Sequence, residues 1–110
     1  MSLETRRYMR MIVLFDLPTV TTAAKRRYTV FRRFLLKDGY AMLQWSVYTR
    51  LVNGFDDKEK HLKRLRNNLP PEGSVRCLIV TEKQFVTMEF LVGPKKPEEC
   101  HSHADQFQLF

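Results

Sequence analysis

Between Met11 and Phe15 five apolar residues run without a polar interruption, then stop at one carboxylate, Asp16. A run with no alternation fits a strand covered on both faces, which places it inside a sheet rather than at its rim. Pro18 ends it, because proline cannot continue a ladder of backbone hydrogen bonds. A chain of 110 residues then has room for one small domain built around that strand.

The spacing after the turn predicts a helix over 22–37. Ala24, Tyr28, Phe31 and Leu35 recur at intervals of four, three and four and form one apolar stripe. Lys25, Arg26, Arg32, Arg33 and Lys37 fall on the other side. Arg27 lands on the flank of the stripe, where it can reach toward Asp16 or across a dimer interface. Gly39 follows as a left-handed cap. Residues 42–51 alternate as one strand, with Leu43, Trp45, Val47, Thr49 and Leu51 on a buried face and Gln44, Ser46, Tyr48 and Arg50 opposite. A second amphipathic helix is expected over 57–69, opened by an Asp56–Glu59 capping box and broken by Pro70-Pro71-Glu72-Gly73. Val75–Val80 and Thr87–Val92 read as two further strands joined by a hairpin-like connection.

The order βαβαββ points to the α+β class. The expected architecture is a ferredoxin-like sandwich with two helices on one face of an antiparallel sheet. Its central strands would be 8–16 and 75–80, the two most continuously apolar. Residues 1–92 form the domain. Residues 93–110 read as a polar linker ending in a short apolar strand, Phe107-Gln108-Leu109-Phe110.

Charge narrows the partner. There are 19 Lys and Arg against 12 Asp and Glu, a formal net charge of +7, which favours a polyanion. No apolar run approaches the roughly 20 residues that span a bilayer, and the charged start lacks a signal-peptide core. The expected setting is cytoplasmic. Cys77, in an apolar run, reads as a small buried hydrophobe. Cys100, His101, His103 and Asp105 match no zinc spacing and read as a solvated linker.

Two features carry chemistry. A strand-end carboxylate such as Asp16 suits a divalent cation, particularly if a two-fold dimer supplies a second copy; equally, it suits a turn aspartate capping Leu17-Pro18-Thr19. The helix cations suit phosphates, because no acid interleaves with them between Asp16 and Asp38, whereas a face that only confers solubility mixes signs. Trp45 reads as core, while Tyr48 is placed for partner packing or base stacking.

Asp16 with Pro18-Thr19, then Lys25-Arg26-Arg27 with Tyr28 and Phe31, then Gly39 and Gln44-Trp45-Ser46-Val47-Tyr48, together resemble the small CRISPR-associated adaptation protein. That family is the ferredoxin-like partner of the spacer integrase and is also termed an endoribonuclease. Thr81-Glu82-Lys83-Gln84-Phe85 resembles its type II form. The resemblance implies a homodimer in which Phe107, Leu109 and Phe110 cross to the partner's sheet, with Tyr48 at the interface. It implies Mg²⁺ near the two-fold axis, with Asp16 as metal ligand and catalytic residue. The family's Lys-Arg-Arg motif falls on Lys25, Arg26 and Arg27; with Arg32, Arg33 and Lys37 of the cationic helix face, these are the expected nucleic-acid contacts. The expected function is a scaffold holding duplex DNA with the integrase during spacer acquisition. The alternatives are a Mg²⁺-dependent endonuclease acting on RNA or DNA, and a toxin-like ribonuclease of the same fold. Two departures bear on catalysis: a long loop between Asp16 and Lys25, and Ala41-Met42-Leu43 where the family carries a basic residue.

Overall fold

A computed structural model describes residues 8–93. Strand β1 (Tyr8–Asp16) leads through a loop to helix α1 (Thr22–Lys37). Strands β2 (Ala41–Gln44) and β3 (Val47–Asn53) follow as a hairpin, then helix α2 (Gly54–Arg66), strand β4 (Ser74–Thr81) and the short helix α3 (Glu82–Val86). The four strands form one antiparallel sheet in the order β2-β3-β1-β4. This is the expected α+β ferredoxin-like layer, with β1 central and buried on both faces at Met11, Ile12, Val13 and Phe15.

The order along the chain is βαββαβ rather than βαβαββ, and three expectations are corrected. The segment 42–51 is two strands, not one. Gln44 pairs directly with Val47, so Trp45 and Ser46 form a two-residue loop. Ser46 takes a left-handed φ of 63°, and its carbonyl accepts the Phe15 N–H at 3.1 Å, tying the loop to the end of β1. The loop resets the alternation: Tyr48, at 0% exposure, and Val52 point into the core, and Leu51 points out.

The second correction concerns Thr87–Val92, which forms no strand. Thr81 caps α3 instead: its hydroxyl accepts the Gln84 N–H, and Gln84 Oε1 accepts the Thr81 N–H, each at 3.0 Å. This reciprocal pair satisfies two otherwise free helix donors and turns the chain where a hairpin was expected. Glu82 and Phe85 then both engage Arg10. The carboxylate accepts from Nε and Nη2 at 2.9 and 2.6 Å, and the Phe85 ring centre lies 4.4 Å from the guanidinium carbon.

Third, β4 is an edge strand in the protomer, and β3 takes the central place beside β1. Its apolar run reflects one half-buried face, Val75, Cys77 and Ile79, plus an opposite face on which Leu78 is 54% exposed. The last four residues lie outside the described residues.

The core sits between the helices and one sheet face. Phe31 and Leu35 of α1 and Leu65 of α2 pack on Met11, Val13, Phe15, Tyr48 and Val52. Helix α1 has the expected bounds, with Thr21 capping it by accepting the Ala24 N–H at 3.0 Å. Gly39 has φ +93°, and a Cβ there would come within 2.8 Å of the Arg50 guanidinium. Helix α2 begins before the expected capping box. In place of that box, Asp57 Oδ2 accepts the Asn53 N–H at 2.9 Å. A polar clasp joins the two helices: Asp38 meets His61 Nδ1 at 2.9 Å and accepts from Arg64 at 3.0 Å, while Arg50 donates to the Asp38 carbonyl.

Candidate nucleic-acid interface and the strand-end carboxylate

Helix α1 is anchored by its apolar stripe, so its opposite side must face solvent. Lys25, Arg26, Arg33 and Lys37 are exposed there, and none has an acidic partner among the described residues. Helix α2 is equally rich in cations but different in kind. Lys58 pairs with Glu59, Lys60 with Asp57 and Arg64 with Asp38. The α2 charges are therefore largely neutralised by neighbours, whereas those of α1 add to one positive field.

The six expected contact residues do not behave alike. Arg32 is exposed, yet its Nε donates to the buried Tyr48 hydroxyl at 2.8 Å. Arg27 does not reach Asp16: its part-exposed guanidinium pairs with Glu72 in the loop before β4, while its Nε is buried and unpartnered among the described residues. The proline-rich break supplies that carboxylate, a pairing that helical spacing could not reveal. Tyr48 is also corrected. With no exposed surface it cannot form a dimer interface in this protomer conformation, whereas Trp45, expected in the core, is 71% exposed.

Asp16 is exposed at the end of β1, paired in register with Ser74 of β4. The loop beneath it is tightly built. Gly73 has φ +92°, and a Cβ there would lie 2.7 Å from the Asp16 carbonyl oxygen and 2.6 Å from Leu17 Cδ2. Alternation puts the Asp16 side chain on the sheet face away from α1 and α2, in line with Arg10, Ile12 and Leu14. The Arg10 end of that face is clasped by α3. The rest of that face is open: Leu14 is exposed toward the Asp16 end and Leu78 at mid-strand beside Ile12, while the exposed Leu51 lies opposite Arg10.

The donors of one protomer do not make a magnesium cage. Asp16 is a single carboxylate, and among the described residues no three His, Cys, Asp or Glu side chains group as metal ligands. A hollow among the described residues, lined by Leu17, Pro18, Arg27, Tyr28 and Glu72, has a volume of about 10 Å³, room for a single water and far short of an ordinary small-molecule pocket. Burial raises the Cys77 thiol pKa above its ordinary value, in keeping with a packing role. Among the described residues no helix is long and apolar enough to cross a membrane.

Comparison with known proteins agrees with this architecture. The family model described as CRISPR associated protein Cas2 matches residues 9–88. The CRISPR-associated endoribonuclease Cas2 of Acidovorax ebreus (strain TPSY) is 59% identical over 102 residues, covering 93% of this chain and 100% of the relative. Its counterpart in Treponema denticola is 46% identical over 90 residues, covering 82% of this chain and 89% of the relative. A solved structure described as "Crystal structure of cas2" superposes with a TM-score of 0.57 at 22% identity, covering 82% of this chain and 92% of that one, and so shares the fold. The chain belongs to the Cas2 family of CRISPR-associated proteins.

Proposed function

We propose that this chain is a dimeric scaffold that holds duplex DNA beside the spacer integrase during spacer acquisition. The unneutralised cationic face of α1 carries the reading. Unpaired cations bind phosphates by displacing the counterions condensed on DNA; Lys25, Arg26, Arg33 and Lys37 have no acidic partner among the described residues, whereas most cations on α2 do. The exposed Leu14, Leu51 and Leu78 support a second copy packing on the open sheet face. That arrangement would bring two Asp16 carboxylates toward one axis. Like charges so placed favour a cation between them, and Mg²⁺ is commonly held by one or two carboxylates with retained water. A cytoplasmic location accords with this partner set.

The relatives' names indicate the second reading, a metal-dependent endonuclease acting on RNA or DNA. Asp16 is the residue on which it turns. The scaffold is favoured because Arg27 is engaged with Glu72 and, among the described residues, a single protomer assembles no group of ligands around Asp16.

The experiment is a salt titration of duplex affinity. Reversing Arg26 and Arg33 to Glu should weaken binding irrespective of sequence, because phosphate contacts carry no base information. The slope of log affinity against log salt should become shallower by about two. An unchanged slope would reduce the α1 face to a solvated surface.

A further inference from the structure

Trp45 is the one tryptophan in the chain, and 71% of it is exposed. It is nevertheless held in place. Its loop is tied to β1 through the Ser46 carbonyl and the Phe15 N–H. One side of the indole stacks on Tyr28, with ring centres 5.7 Å apart and planes 18° from parallel. Tyr28 in turn lies against Phe15, 5.9 Å away, and Phe15 packs on Phe31 and Tyr48 in the core. An aromatic ladder thus runs from the core to a solvent-facing indole. Leaving so large an apolar side chain exposed forfeits its burial energy. The rigid mounting means little side-chain entropy is lost when a planar group settles on it.

The charges around it select the planar group. Along α1, Lys25 and Arg32 lie three and four residues from Tyr28 and therefore flank it on the helix surface. Both are exposed, and neither has an acidic partner among the described residues. A π-face bordered by cations fits a nucleobase joined to its phosphates.

We propose that Trp45 is a stacking platform for an unpaired base of bound DNA, with Lys25 and Arg32 holding the adjoining phosphates. The proposal rests on the nucleic-acid reading above and extends it: the duplex lies along α1, and a single-stranded end or splayed base reaches Trp45.

The probes are oligothymidine and a blunt duplex, each read by anisotropy of labelled DNA and by the emission of Trp45. Oligothymidine should quench that emission as it binds, since a stacked base quenches an indole. Trp45→Ala should weaken oligothymidine binding about tenfold, the scale of one aromatic–base stack, while blunt-duplex affinity stays within about twofold. Trp45→Phe, which keeps a stacking ring, should restore most of the loss. Oligothymidine binding without quenching, at the same affinity in the alanine variant, would overturn the platform and leave duplex binding standing. Failure of both probes to bind would overturn the platform together with the nucleic-acid reading. An emission shift that appears with protein concentration and is insensitive to DNA would assign Trp45 to a contact between copies instead. The quenching measurement uses the natural sequence, so the test stands even if a variant folds poorly.

Discussion

Arg32 Nε donates a 2.8 Å hydrogen bond to the hydroxyl of Tyr48, a side chain with no exposed surface. One cation of the α1 face therefore also completes the core. Arg32→Ala should leave that hydroxyl short of a partner and lower unfolding free energy by about 1 kcal/mol. Arg33→Ala, whose side chain has no such partner among the described residues, should stay within about 0.5 kcal/mol. Urea titration of the two variants checks this, and equal losses would contradict it. For the same reason Arg26 and Arg33, rather than Arg32, isolate phosphate binding.

Gly73→Ala places a methyl group against the Asp16 carbonyl at a backbone angle that L-residues avoid. Backbone has little room to yield, so the cost should be about 2 kcal/mol. Amide exchange should rise first at Asp16 and Ser74, the paired ends of β1 and β4. A neutral substitution would mean that the loop before β4 does not position Asp16.

Asp57 provides a pH test. The Asn53 backbone N–H, with help from Lys60 and His61, holds its carboxyl below the ordinary value. A depressed folded-state pKa stabilises the fold above the unfolded value, near 4, and that contribution is lost as pH falls through the folded value. Asp57→Asn should therefore melt slightly below the natural protein at neutral pH, by no more than about 0.5 kcal/mol for so open a site. The two should converge in acid. A gap that widens as pH falls would contradict the assigned cause.

The outer edge of β4 has no paired strand among the described residues. Such an edge accepts an added strand, and Phe107-Gln108-Leu109-Phe110 is the apolar candidate. Deleting 107–110 should weaken dimerisation in sedimentation. A truncated chain that stays dimeric at low micromolar concentration would remove the strand-exchange proposal.

The sequence was most legible where one local rule decided the outcome. The uninterrupted run to Asp16 gave β1, and the stripe from Ala24 to Leu35 gave α1 with its bounds. It was least legible where a distant contact overrode local pattern. Trp45-Ser46 carries no Asn-Gly or Asp-Gly turn signature. Ser46 accepts a left-handed angle because Phe15 anchors it, and that reversal exchanged the expected places of Trp45 and Tyr48. The same holds at Arg27, whose partner Glu72 is 45 residues away, and at Arg10, 72 residues from Glu82. Thr81 and Gln84 are the exception: a Thr-x-x-Gln capping signature was present in the sequence, and it marked a helix where a hairpin was expected.

The central claim is that the chain holds DNA rather than cutting it, and an integration assay with the partner integrase tests it most directly. Asp16→Asn removes the charge, keeps the side-chain size and leaves α1 untouched. The account predicts that this variant, folded and dimeric, binds duplex DNA and supports spacer integration. It also predicts that the Arg26→Glu, Arg33→Glu double variant, equally folded, loses integration. Loss of integration by the Asn variant with its DNA binding intact would contradict the account and place catalysis at Asp16.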